Sequence, residues 1–178
     1  MDEKRNAVVL IICGVILVVC ALILAKVATS GLGAEVISSQ QTPVEISQTT
    51  EKVRVAKILD GDTFDLSDGR RVRYIGINTP EQSQCFALEA KTENEKLLAG
   101  KKIRLEKDLS NRDKYGRLLR FVYVEDESGR EIFVNDYLVR QGFARLLSIP
   151  PDLKFEKQFN AAVEEARFQQ RGLWSACY

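Results

Sequence analysis

Three short stretches in which apolar and polar residues alternate, separated by tight turns, dominate the middle of the chain. They cover residues 53–58, 63–66 and 71–77. Alternation with a period of two is typical of strands that bury one face. The Asp-Gly dipeptides at 60–61 and 68–69 are turn signals between them. A segment built in this way folds as consecutive hairpins, so the chain must contain a β-rich domain.

The pattern changes after residue 80. Apolar residues at helical spacing predict helices over 86–99, 134–141 and 153–170, and alternation predicts strands over 102–107 and 118–124. Three strands, a helix, two strands and two helices predict a β-rich α+β fold. Its architecture is a five-stranded antiparallel Greek-key barrel of the OB-fold type with three helices, the first inserted between the third and fourth strands.

The absence of histidine limits the chemistry of this domain. No Ser-His-Asp or Cys-His nucleophile system and no His-ligated zinc site can form. Acid–base chemistry near neutral pH must therefore use carboxylates, Lys, Tyr, Cys or metal-bound water. The 26 Lys and Arg residues are balanced by 25 Asp and Glu, which excludes a histone-like polycation.

The N-terminal residues have a different composition. Residues 6–25 carry no charge and are almost all apolar. As a helix they would span about 30 Å, the thickness of the bilayer interior. This predicts an N-terminal transmembrane helix, and we favour an uncleaved anchor over a signal peptide cleaved near residues 28–30. Lys4 and Arg5 favour an N-terminus inside the cell and a domain outside it.

The next segment, residues 27–50, is rich in Ser, Thr and Gln and lacks aromatic residues. Such a composition predicts a flexible linker. The chain is thus divided into an anchor or signal (1–26), a linker (27–50) and a globular domain (51–178). We expect it at the cell membrane, single-pass with the domain outside the cytoplasm, or alternatively secreted.

The four cysteines form two groups. Cys13 and Cys20 lie in the apolar run, where they are ordinary small side chains. Cys85 and Cys177 lie in the globular part. If this part is exported, the pair suggests a disulfide that ties down the C-terminus. The alternative is two buried free thiols.

Charged residues are concentrated in three turn segments. They are DGDT at 60–63, Arg73 followed by NTPE at 78–81, and DKYGR at 113–117. Each segment alone is typical of a solvated hairpin. Together, in this order, they resemble the staphylococcal nuclease (thermonuclease) family. The resemblance covers residues 52–174 and includes VAKILDGDTFDL, RVRYIGINTPE, DKYGRLLRFVYV, VNDYLVRQGFAR and the closing GLW. The Cys85 and Cys177 pair also resembles that of some exported members.

This resemblance implies calcium-dependent hydrolysis of phosphodiester bonds in DNA and RNA, with little sequence specificity and 3′-phosphate products. It implies the following roles: Arg73 and Arg117 hold the scissile phosphate, Glu81 assists the attacking water, Asp62, Asn78 and the Thr79 carbonyl bind calcium, Asp60 supports the metal site, and Lys114 and Tyr115 contact the strand. A planar guanidinium suits two phosphate oxygens, and oxygen ligands suit calcium. Tyr74, Phe121 and Tyr123 are expected to pack in the barrel, with stacking on bases as the alternative, and Trp174 is expected to anchor the C-terminus by packing.

Asn78 departs from the family pattern, which has Asp at this position. An Asn keeps an oxygen ligand but removes a negative charge, so calcium binding is expected to be weaker. The alternative function is a non-catalytic nucleic-acid-binding OB module with a weakened metal site. Structural roles also remain open: Arg73 and Arg117 as surface arginines of strands, and Glu81 as the cap of the following helix.

Overall fold

A computed structural model of the chain describes residues 51–177. In this part the strands are β1 (Glu51–Ile58), β2 (Thr63–Leu66), β3 (Arg71–Tyr74), β4 (Ile77–Asn78), β5 (Lys102–Glu106), β6 (Leu118–Glu125), β7 (Glu131–Phe133) and β8 (Arg145–Leu146). The helices are α1 (Ala87–Leu98), α2 (Val134–Arg140), α3 (Glu156–Phe168) and α4 (Leu173–Ala176). All the strands and helices predicted after residue 50 occur, whereas β7, β8 and α4 have no counterpart in the prediction.

Five of these strands close into a barrel. β1 pairs antiparallel with β2 and β5, β2 pairs with β3, and β5 pairs with β6. β3 and β6 run parallel, with Val72 opposite Leu118 and Arg73 opposite Leu119, and this pairing closes the ring. The five-stranded barrel with helices is confirmed. The prediction that it is wholly antiparallel is wrong at this pairing, because the long connection through α1 and β5 lets β6 return in the direction of β3.

The predicted third strand, 71–77, is interrupted. β3 ends at Tyr74, and residues 77–78 form β4, which pairs with β8 instead. Gly76 lies between them with a φ of 78°, and a Cβ built on it would lie 2.6 Å from Cε2 of Phe159. The backbone thus turns beneath α3 where no side chain fits.

The core lies inside the barrel and continues beneath α2 and α3. Tyr74, Phe121 and Tyr123 are buried, and Trp174 packs against the same cluster, as expected. Buried Asn135 on α2 links β6 to the residue that follows β3: its Oδ1 accepts from the Val122 N–H at 2.9 Å, and its Nδ2 donates to the Ile75 carbonyl at 2.9 Å. This amide satisfies two buried backbone groups beside the closure of the barrel.

A disulfide joins Cys85, in the loop before α1, to Cys177 at the end of α4. The predicted membrane segment, the linker, Cys13 and Cys20 lie outside the described residues. Within residues 51–177, no helix has the length and apolar character needed to cross a bilayer.

Candidate active site

Asp62 is the centre of the first motif. It lies in the turn between β1 and β2 and is 4% exposed. Its Oδ2 accepts from the Thr79 N–H at 2.7 Å, and its Oδ1 accepts from the Thr63 hydroxyl at 3.1 Å. Asp60 supports the turn, since its Oδ1 accepts from the Asp62 N–H at 2.9 Å. The carboxylate of Asp62 therefore ties the β1–β2 turn to the loop after β4.

Burial controls the ionisation of Asp62. Loss of water raises the pKa of this carboxyl to about 6, although Arg73 and the Thr79 N–H act in the opposite direction. A nearby cation stabilises the ionised form of a buried carboxyl of this kind.

Arg73 projects from β3 and is almost completely buried. Its Nη1 donates to the backbone carbonyls of Tyr74 and Ile77, each at 2.9 Å. Its Nη2 donates to Asn78 Oδ1 at 2.8 Å and lies 3.2 Å from Asp62 Oδ2. The interpretation of Arg73 as an arginine on the strand surface is therefore wrong.

The oxygen atoms of Asp62, Asn78 and Thr79 are the kind of ligand that a hard cation prefers, but together they carry little negative charge. Side-chain oxygens of Asp62 and Asn78 converge on one nitrogen of Arg73, and the buried backbone of Thr79 adjoins Asp62. Calcium binds oxygen ligands of this kind. Asp62 contributes the single carboxylate of this set, and within residues 51–177 no three Cys, Asp or Glu side chains gather as a metal cluster.

Arg117 is held by Asp113, four residues earlier. Arg117 Nε donates to Asp113 Oδ2 at 2.7 Å, and its backbone N–H donates to Oδ1 at 3.0 Å. Burial raises the pKa of Asp113, but hydrogen bonds from Arg117 outweigh this effect and the pKa is lowered. Among the described residues, Nη1 and Nη2 of Arg117 make no hydrogen bond, and the guanidinium carbon lies 5.4 Å from the centre of the Tyr115 ring. The two Nη groups can therefore donate to a ligand.

Arg73 and Arg117 line the same cavity, which has a volume of about 470 Å³. Lys114 and Tyr115 line it as well, and Tyr115 is 71% exposed. The lining also has an apolar part, which we call the apolar wall and which consists of Leu119, Leu147, Ile149 and Pro150. The volume is in the range of small-ligand sites, and two guanidinium groups beside an apolar wall suit a nucleotide.

The other predicted residues do not line this cavity. Asp62, Asn78 and Thr79 lie next to Arg73, outside the lining. Glu81 is exposed, and its side chain has no hydrogen bond or ion pair among the described residues. The helix-cap interpretation of Glu81 is wrong, because α1 begins at Ala87 and has no side-chain cap.

The role of Asp113 and the apolar wall were not predicted from the sequence. An Asp that precedes two turn N–H groups is a recognisable signal for an Asx-type turn. No sequence pattern marks the apolar residues after β8 as part of a cavity lining. Their place in the lining depends on the path of this segment in the folded domain; they are Leu147, Ile149 and Pro150.

A closed five-stranded barrel with helices defines the chain as a protein of the OB-fold class, and one cavity of this barrel is lined by two arginines. Comparison with known proteins is more specific. The sequence model described as "Staphylococcal nuclease homologue" matches residues 71–176, and the chain belongs to this family.

Curated relatives carry nuclease names. The chain is 32% identical to the thermonuclease of Staphylococcus hyicus over 68% of its length and 75% of the relative. It is 35% identical to the thermonuclease of Staphylococcus intermedius over 70% and 76%. It is 31% identical to the endonuclease YncB of Bacillus subtilis over 85% and 81%. The protein is a nuclease, a phosphodiesterase that acts on nucleic acid.

Proposed function

We propose that this nuclease is a calcium-dependent endonuclease that cleaves DNA and RNA with little sequence specificity. The observation that carries the proposal is that Arg73 and Arg117 line one cavity while the oxygen atoms of Asp62 and Asn78 meet beside Arg73. Two guanidinium groups and a set of oxygen ligands are thereby adjacent at the place where a phosphodiester would bind.

The two arginines stabilise the charge that develops on the phosphate. Arg73 is fixed by two backbone carbonyls, so its orientation costs little on binding. Arg117 is oriented through Nε by Asp113 and offers both Nη groups. Fixed donors of this kind stabilise a transition state more than mobile ones do.

Glu81 acts as the general base. It takes a proton from the attacking water, whose oxygen forms a bond to phosphorus as the bond from phosphorus to the 5′-oxygen breaks. The leaving oxygen takes a proton from solvent, and the product carries a 3′-phosphate. A carboxylate is one of the groups that can take this proton in a chain without histidine, and Glu81 is the one that the family resemblance implies.

Asp62, Asn78 and the Thr79 carbonyl are the groups that would hold calcium. When bound, calcium would neutralise negative charge on the phosphate. Asp60 supports this set through the backbone of Asp62. Lys114 and Tyr115 line the cavity at its exposed side and would contact the strand. Contacts made mainly to phosphate carry no sequence information, which suits a substrate range of DNA and RNA.

We also propose that residues 6–25 anchor the enzyme in the cell membrane with the domain outside the cytoplasm, secretion being the alternative. The support is the uncharged run of twenty residues and the basic pair that precedes it. Membrane fractionation followed by protease treatment of intact cells tests this. Recovery of the domain in the cytoplasm would contradict both the membrane-anchored and the secreted alternative.

The catalytic proposal is tested with the full chain in detergent and fluorescent single-stranded DNA and RNA oligonucleotides. We expect shortening in calcium chloride, none in excess EDTA, and 3′-phosphate ends on the products. Oligonucleotides that bind but remain intact in calcium would instead support the non-catalytic module that Asn78 suggests. Equal cleavage in EDTA would contradict the calcium requirement.

A further inference from the structure

A second cavity, of about 440 Å³, adjoins the first one. The two share Arg112, Tyr115 and Arg117 in their linings. The second cavity continues to Arg70 and Arg71 at the start of β3. The two cavities therefore form one trough that passes over the turn before β6, and we call its second half the arginine groove.

The charged residues that line the arginine groove are mainly arginines. Four arginines and one carboxylate, that of Asp65, line it. Three of the arginines have carboxylate partners within ion-pair distance. These are Arg70 with Glu51 at 2.6 Å and Asp68 at 2.5 Å, Arg71 with Asp65 at 2.7 Å and Arg117 with Asp113 at 2.7 Å. The charges of these three arginines are therefore offset by neighbouring carboxylates.

Arg112 differs from these three. Within residues 51–177 no carboxylate lies within ion-pair distance of it, and its Nη1 donates to the Gly116 carbonyl. A backbone bridge to Leu118 fixes Arg112 beside the first residue of β6. The guanidinium is exposed, and it belongs to the lining of both cavities.

Further positive charge surrounds this position. Arg120 is bound through Nη2 to Asn111 Oδ1 at 2.8 Å and has no carboxylate partner in the described part of the chain. Burial lowers the pKa of Arg120, the charge of Glu51 opposes this effect, and the positive charges of Arg70 and Arg112 add to it. An anion placed in the arginine groove would relieve this repulsion.

We propose that the arginine groove binds a second backbone phosphate of the substrate strand and that Arg112 is its principal contact. This inference rests on the proposed function, because the strand is taken to have its scissile phosphate at Arg73 and Arg117. An exposed guanidinium without a carboxylate partner, in a polar groove that continues the active-site cavity, suits a phosphate diester. The preferred substrate is then a strand of several nucleotides rather than a single diester.

The test measures binding of a fluorescent single-stranded DNA octanucleotide by anisotropy, with the full chain in EDTA and over 50–300 mM NaCl. Arg112→Gln is compared with Arg130→Gln, because Arg130 lies in the β6–β7 turn and lines neither cavity. We expect Arg112→Gln to weaken binding about tenfold at low salt. It should also reduce the slope of log affinity against log salt by about 0.7, the value for one lost contact to a single strand.

An equal loss in both variants, or an unchanged slope in Arg112→Gln, would overturn the inference. So would competition by inorganic phosphate as strong as that by the octanucleotide at equal phosphate concentration, which would indicate a simple anion site. The two proposals fail separately. If binding depends on Arg112 but no cleavage occurs in calcium, the proposed function alone is contradicted. If cleavage occurs but the salt slope of Arg112→Gln is unchanged, the phosphate-binding role of the arginine groove alone is contradicted.

Discussion

Nη2 of Arg73 donates a hydrogen bond to Oδ1 of Asn78 over 2.8 Å. The same nitrogen lies 3.2 Å from Asp62 Oδ2. The guanidinium therefore occupies the point at which the two candidate calcium ligands meet. A metal ion that binds these oxygens must share them with Arg73, so metal binding and the position of this arginine are linked.

Asn78→Asp is expected to tighten calcium binding, by about tenfold or more, because it adds a second carboxylate to a set that has one. Isothermal titration calorimetry with calcium chloride measures the change. Asn160→Asp, on the exposed face of α3, adds the same charge away from the site and serves as the control. An unchanged dissociation constant in Asn78→Asp would show that charge does not limit affinity here.

Glu81→Gln is expected to lower kcat by about 10²–10⁴, since it removes the proposed base and keeps the shape of the side chain. The melting temperature should not change, because the side chain is exposed and has no partner among the described residues. Glu89→Gln on the exposed face of α1 is the matched control and should retain full activity. Full activity in Glu81→Gln would assign the base elsewhere.

Asp113→Ala is expected to lower kcat/KM about tenfold. The substitution removes the group that orients Arg117 through Nε and that accepts from the Tyr115 N–H at 2.9 Å. Asp113→Asn retains an oxygen acceptor, so it should restore part of the loss. If Asp113 were only structural, both variants would lose melting temperature and activity together, whereas an orienting role predicts the larger change in activity.

The contact between Asp113 and Arg117 should also make the stability of the domain depend on pH. The pKa of Asp113 lies below its usual value of 3.8, because hydrogen bonds from Arg117 outweigh the effect of burial. A lowered pKa contributes stability that is complete above the unfolded value and is lost as the pH falls through the folded value. The difference in melting temperature between wild type and Asp113→Asn should therefore stay constant from pH 8 to about pH 5 and shrink below about pH 4. A difference that grows on acidification would contradict this.

The Cys85–Cys177 disulfide closes a loop of 92 residues. Cys85→Ser with Cys177→Ser should lower the free energy of unfolding by about 2–4 kcal/mol, because the unfolded chain gains freedom. Urea denaturation without reductant measures the difference. Dithiothreitol should lower the wild-type midpoint to that of the double variant and leave the variant unchanged. Equal midpoints for both proteins without reductant would mean that the bond does not stabilise the fold.

Local sequence patterns predicted much of the barrel. The alternation over 53–58 and 63–66 and the glycines of the turns are properties of neighbouring residues, so they can be recognised without the fold. The break after Tyr74 could not be predicted, since it depends on Phe159, which is distant in the chain. The parallel pairing of β3 with β6 is likewise a long-range property.

The candidate site was predicted by motif resemblance rather than by spacing. Arg73, Asp62, Asn78 and Thr79 lie together, and Arg117 faces the same cavity as Arg73. Their catalytic and metal-binding roles stay predictions. The role proposed for Arg112 could not be predicted, because a single arginine in a turn does not indicate a binding site until the cavities that it lines are known.

The parallel pairing of β3 and β6 has a consequence for synthesis. Arg73 leaves the ribosome more than forty residues before Arg117. The two guanidinium groups become neighbours when the late strand docks on the early one. Nuclease activity should thus appear in a single step near the end of folding. The time at which a nucleic-acid probe begins to be cleaved would then report when the barrel closes.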